Sequence, residues 1–127
     1  RNAMHQKTSL RLFSCHCSAQ SNSYIFDPFG DIYSCLEIVG NKKEVIGNYT
    51  NNTIWAKEKD NWFNRDISTI NKCSKCKYAL ICGGGCCAKC LERGKHMEPY
   101  CGNFPITLRY FVRKIYSHLK DGSLINV

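Results

Sequence analysis

The chain has 127 residues and ten cysteines, about 8 % of its length and several times the usual share. Hydrophobic residues make up 43 % and charged residues 22 %, which excludes a disordered polar tract. No run approaches the ~18 apolar residues of a membrane span, and the length is too short for a (β/α)₈ barrel of ~250 residues. The formal charge of +8 counts every thiol as neutral, so any metal-bound thiolates would lower it.

Residues 1–14 read as an N-terminal segment, with Arg1-Asn2-Ala3 a cloning remnant before Met4. The segment is polar and carries no secretory signal, so a cytoplasmic chain with reduced thiols is expected. The sequons at Asn48 and Asn51 then occur by chance. Many cysteines in that setting favour metal over a disulfide framework. The runs Ser23-Tyr24-Ile25-Phe26 and Ile32-Tyr33-Ser34-Cys35 are β-prone and flank Asp27-Pro28-Phe29-Gly30-Asp31. Pro presets a turn there and Gly supplies a positive φ, which predicts a hairpin delivering Cys35 at the end of its second strand.

Residues 53–67 predict a helix with Ile54, Trp55, Trp62 and Phe63 on its apolar face and Asn52 or Thr53 as cap. The run Lys57-Glu58-Lys59-Asp60 reads as a solvated face or a break between two short helices, and both tryptophans as core. Pro105 suits a first helical turn. Leu108, Phe111, Val112, Ile115 and Leu119 follow helical spacing through Lys120, ahead of Gly122. Arg109, Arg113, Lys114 and Lys120 then form a solvated basic face. His5, His96 and His118 read as surface histidines, and His16 as a residue that could compete for zinc.

The chemistry lies in the cysteines. Cys73-x2-Cys76-x5-Cys82-x3-Cys86 brackets Gly83-Gly84-Gly85, and such spacings let one loop wrap several thiolates around a centre. Glycines let backbone approach that centre and donate N–H groups to sulfur. Thiolate-only sites select zinc or iron–sulfur. A zinc ribbon would use Cys73 and Cys76 with Cys87 and Cys90, leaving Cys82, Cys86, Cys101 and the early cysteines unexplained. Two four-thiolate clusters consume eight of the ten.

The order Cys17-x12-Gly30-x4-Cys35, then Cys73, Cys76, Cys82 and Cys86, then Cys101 resembles the SPASM domain. That domain is the C-terminal auxiliary extension of radical S-adenosylmethionine enzymes, including anaerobic sulfatase maturases and peptide maturases. The likeness spans Cys15 to Cys101 and includes the Asp-Pro-x-Gly-Asp-x-Tyr-x-Cys hairpin. It implies two auxiliary 4Fe–4S clusters. By similarity Cys17, Cys35 and Cys86 hold the first, and Cys73, Cys76, Cys82 and Cys101 the second. Cys15 is the candidate fourth ligand of the first cluster, at a spacing tighter than the family's; an open coordination position is the alternative. Cys87 and Cys90 fall outside the pattern and stand as additional or alternative metal ligands.

The catalytic C-x3-C-x2-C loop is missing, because position 89 is Lys. The resemblance therefore implies an auxiliary half with no catalytic residues of its own, S-adenosylmethionine belonging to an absent catalytic barrel domain. That barrel and a peptide or protein substrate would be its partners. The expected fold is a small α+β metal-bound domain: a β-hairpin, Cys-rich loops and helices, and a C-terminal amphipathic helix. Residues 15–104 form the cluster domain and 105–127 the helix and tail. A zinc-binding interaction or nucleic-acid module is the alternative, supported by an isoelectric point near 9.0. The dispersed basic residues argue against nucleic acid, and eight ligand thiolates with two clusters would bring the charge down to about +4.

Overall fold

The computed structural model describes residues 11–50 and 52–121. The expectations for Arg1-Asn2-Ala3, Met4, His5, Asn51 and Gly122 lie outside these residues. The chain divides into two compact units, Phe13–Tyr100 and Arg1–Leu12 with Cys101–Val127.

The first unit is built on a four-stranded antiparallel sheet in the order β1 (Ile25–Phe26), β2 (Asp31–Tyr33), β3 (Gly47–Asn48), β4 (Ile54–Trp55). The expected hairpin is present, with Ile25 opposite Tyr33 and Phe26 opposite Ile32. Its turn is organised by Asp27, whose buried carboxylate accepts from the N–H groups of Phe29 at 2.8 Å and Asp31 at 2.9 Å. An aspartate closing its own turn in this way leaves the hairpin little conformational choice. Gly30 is required at φ +99°, and a Cβ there would lie 2.3 Å from Thr50 Cγ2. Cys35 follows two residues after β2, immediately before a 3₁₀ turn at Leu36–Ile38.

Ala19, Ile32, Tyr33, Ile38, Ile46, Trp62, Cys87 and Ala88 are buried in one cluster. Ile46 links the strands by donating to the Ile32 carbonyl and accepting from the Ala56 N–H.

The helix expected over 53–67 is replaced by a strand and a shorter helix. Ile54 and Trp55 form β4 against β3, and only Glu58–Phe63 is helical (α1). The reason is local and tertiary together. Thr53, Ile54 and Trp55 are β-branched or aromatic. Gly47 opposite Trp55 also has no side chain to block the ring: a Cβ there would sit 2.9 Å from Trp55 Cε3. Lys57, rather than Asn52 or Thr53, caps α1, and Glu58 and Asp60 in the first turn suit its positive N-terminal end. Trp62 is fully buried and donates its indole N–H to Glu44 Oε2 at 3.0 Å. Trp55 is 45 % exposed, so only one of the two tryptophans belongs to the core.

Three short helices follow: α2 (Asn71–Ser74), α3 (Ala79–Cys82) and α4 (Cys87–Leu91). Ile70, Cys73 and Ala79 make a second small core with Ile67. In the other unit α5 (Phe104–Lys120) carries Pro105 in its first turn, as the sequence predicts. Arg109, Arg113, Lys114 and Lys120 are exposed, Leu108 and Ile115 half-buried, and Phe111, Val112 and Leu119 exposed. Among the described residues, no helix is long and apolar enough to cross a membrane.

Trp62→Ala is expected to cost roughly 3–5 kcal/mol in urea unfolding. Trp55→Ala should cost no more than about 1 kcal/mol. Equal losses would contradict the division of the two rings between core and surface.

Candidate metal centre

All ten cysteines are thiols with no disulfide among them. Their positions are set by three segments that meet at a buried glycine triplet. Residues 13–17 are pinned at two points: the Phe13 N–H donates to the Leu80 carbonyl at 2.8 Å, and the Ile67 N–H donates to the Ser14 carbonyl at 2.9 Å. Gln20, buried in the following 3₁₀ turn, accepts from the N–H groups of His16 and Cys17 and donates to the Arg65 carbonyl at 3.0 Å. The loop bearing Cys15 and Cys17 is thereby tied to Arg65.

Gly83, Gly84 and Gly85 are buried and adopt φ of +67°, +83° and +77°. Each admits a different neighbour. A Cβ on Gly83 would lie 2.7 Å from the Cys15 carbonyl, and one on Gly85 would lie 1.9 Å from the Tyr100 carbonyl oxygen. Gly84 faces Ile70 and Cys73, whose Sγ would be 3.7 Å from such a Cβ. No residue with a side chain satisfies both the backbone conformation and the close approaches at Gly83 and Gly85.

Arg65 holds this loop in place and is the residue that sequence reasoning missed. Fully buried, it donates from Nε to the His96 carbonyl (2.9 Å) and from Nη1 to the Gly85 carbonyl (3.2 Å). Its Nη2 reaches the carbonyls of Glu98 (2.9 Å) and Gly84 (3.4 Å) and Cys90 Sγ (3.4 Å). A guanidinium presents a rigid planar fork of donors, which suits one charge shared among several carbonyls. No short-range sequence signal announces it, since the side-chain partners lie 19–33 residues away.

The cysteines sort into three environments. Cys17 is exposed, while Cys35 and Cys86 are half-buried and both pack against the main core. Cys17 and Cys86 lie within electrostatic reach of Cys35: burial chiefly pushes the Cys35 thiol up, and these two thiols and Glu37 add to it against a lowering backbone hydrogen bond. Cys73 sits in α2 and Cys82 ends α3, with exposed Cys76 on the connection between them. The Cys76 N–H donates to the Cys73 carbonyl at 2.9 Å, closing one turn. Cys15 is half-buried with its backbone against Gly83, and exposed His16 places Nδ1 3.3 Å from the Cys82 carbonyl. Cys101 belongs to the other unit, where it is exposed just ahead of α5.

Cys87 and Cys90 are buried in α4 and engaged within the protein. Cys90 Sγ donates to the carbonyls of Cys86 (3.2 Å) and Glu98 (3.0 Å) beside Arg65. Cys87 Sγ lies 3.7 Å from His96 Nδ1. His96 is therefore no surface histidine: its ring packs edge-on against Trp62 at 5.2 Å, with Nε2 3.7 Å from Glu44 Oε2. Burial, and then the Arg65 charge, hold His96 below its ordinary pKa. Its Nε2 approaches Glu44 as a polar contact.

Among the described residues, no three His, Cys, Asp or Glu side chains close on a single ion as they stand. The donor set nonetheless suits a thiophilic centre. Thiols brought into mutual electrostatic range repel one another once ionised, and a bound cation would offset that repulsion. Backbone at the glycine triplet also lies close to cysteine-bearing segments without side-chain obstruction. No family model, curated protein or solved structure matches the chain.

Cys87 contributes to the pH dependence of this region. Burial pushes its thiol up to about 12, with Arg65 lowering it and Cys90, Glu44 and Cys86 raising it. The folded chain holds this proton more tightly than the unfolded one. Its stabilising effect is complete below the ordinary thiol value of 9.0 and is lost as pH rises toward about 12. The loss is at most about 1.4 kcal/mol per pH unit. In urea unfolding of the reduced chain between pH 8 and pH 11, Cys87→Ala is expected to flatten the decline. A decline of unchanged steepness would show that Cys87 does not contribute to it.

Proposed function

We propose that the chain is the auxiliary iron–sulfur domain of a radical S-adenosylmethionine maturase. The observation that carries this reading is the approach of Cys17 and Cys86 to Cys35 across long sequence separations. Cys17 and Cys86, which the resemblance assigns to one cluster with Cys35, are both among its electrostatic neighbours. The hairpin turn at Asp27 and Gly30 and the buried glycine triplet add support, since both shape the segments that carry those thiols.

In this reading Cys17, Cys35 and Cys86 hold the first 4Fe–4S cluster, with Cys15 as its candidate fourth ligand. Cys73, Cys76, Cys82 and Cys101 hold the second. Bound clusters would supply one-electron transfer, or an open coordination position for substrate. The chain itself supplies preorganisation. Arg65 fixes the glycine loop between Cys82 and Cys86, and Gln20 orients the backbone of the Cys17 loop. Cys87 and Cys90 stand outside this assignment as additional or alternative ligands, and both are buried, as Cys73 is. The barrel domain and a peptide or protein substrate are the proposed partners, in the reducing cytoplasm where thiolates persist.

Anaerobic reconstitution with iron and sulfide tests the reading. About eight irons and eight sulfides per chain are expected. Cys35→Ala should remove about half of both while the remaining visible absorption persists. Zinc without sulfide, from a strictly anaerobic preparation, would overturn the proposal in favour of a zinc module.

A further inference from the structure

Tyr24, Trp55 and Phe63 surround one ammonium group on the surface of the first unit, at a distance in sequence from every cysteine. Lys59 Nζ lies 3.7 Å from the Trp55 ring centroid, 5.6 Å from that of Phe63 and 5.9 Å from that of Tyr24. The rings support one another. Tyr24 meets Trp55 at 5.4 Å and Phe63 edge-on at 5.7 Å.

The box is assembled from three elements. Tyr24 precedes β1, Trp55 lies in β4, and Phe63 ends α1. Strands β1 and β4 are the two edges of the sheet. Adjacent strands lie ~4.8 Å apart, so a flat sheet would separate its outer rings by roughly 14 Å. Contact between Tyr24 and Trp55 therefore has both long side chains reaching across the sheet order toward one another. The tertiary fold creates the box, and Phe63 anchors it by packing against the main core.

Its walls remain accessible: Tyr24 is 38 % and Trp55 45 % exposed. Ring faces are electronegative and attract cations, most strongly the indole. Lys59 occupies the box on a flexible stem, and an exposed contact of this kind is weak enough to exchange.

The geometry points to an aromatic binding site for an alkylammonium group carried by a peptide, a lysine or its methylated form, with Lys59 as the resident occupant. The ammonium of Lys59 stands in for the ligand's. A cationic peptide side chain enters by displacing it, and the displaced lysine returns to solvent. This site goes beyond the cluster reading and does not depend on what the thiols hold.

The test titrates the intact chain with Nα-acetyl-lysine methylamide, its Nε-trimethyl form and the uncharged norleucine analogue. The readout is the indole N–H resonances of Trp55 and Trp62. Both cationic probes should shift Trp55 saturably and leave buried Trp62 unmoved, while the norleucine probe does nothing. Lys59→Ala vacates the box and should tighten cationic binding about two- to fivefold. Tyr24→Ala should weaken the Trp55 response with the far-ultraviolet circular dichroism unchanged. Equal response to the norleucine probe would overturn the cationic assignment. Failure of Lys59→Ala to bind either cation would show that Lys59 merely packs there. Binding of the trimethyl probe alone would restrict the site to methylated lysine.

Discussion

One buried arginine ties together the Cys17 loop, the glycine triplet and residues 90–98 of the first unit. Arg65 turns its donors inward onto the carbonyls of Gly84, Gly85, His96 and Glu98 and onto Cys90 Sγ. Its own carbonyl receives Gln20, which in turn orients the Cys17 backbone. A buried charge without partners is costly, so these contacts must form together or not at all. That constraint explains how 88 residues, Phe13–Tyr100, with strands of only two or three residues, hold one arrangement. The cores are small, and the loops are fixed by hydrogen bonds rather than by bulk.

The same interaction separates cysteines by role. Cys87 and Cys90 are buried near His96 and Arg65, and burial pushes both thiols up. Cys17 is exposed and Cys35 and Cys86 are half-buried, with Cys17 and Cys86 both among the electrostatic neighbours of Cys35. Thiolates placed together in this way gain from a soft cation, whereas a buried neutral thiol behaves as a small hydrophobe. The two cysteines that the family pattern leaves unplaced are thus two that the fold uses internally.

Features with a local cause were legible in the sequence. The Asp27–Asp31 turn and the periodicity of α5 each rest on neighbouring residues. Features that depended on distant partners were not. Ile54 and Trp55 pair as a strand because Gly47 lies opposite, and Arg65 is buried because carbonyls far along the chain converge on it. His96 has no neighbouring partner in the sequence, and becomes part of the core only when Trp62 and Cys87 are brought to it. The burial of Cys87 and Cys90 was not legible in their spacing, because it too depends on residues far along the chain.

The most direct measurement is the stability and thiol reactivity of Arg65→Met in the intact chain. If the guanidinium organises the loops, its removal orphans several buried carbonyls and should cost roughly 3–5 kcal/mol in urea unfolding. Cys90 should then react with iodoacetamide under native conditions where the parent protein protects it. A variant within about 1 kcal/mol of the parent, with Cys90 still protected, would contradict the account.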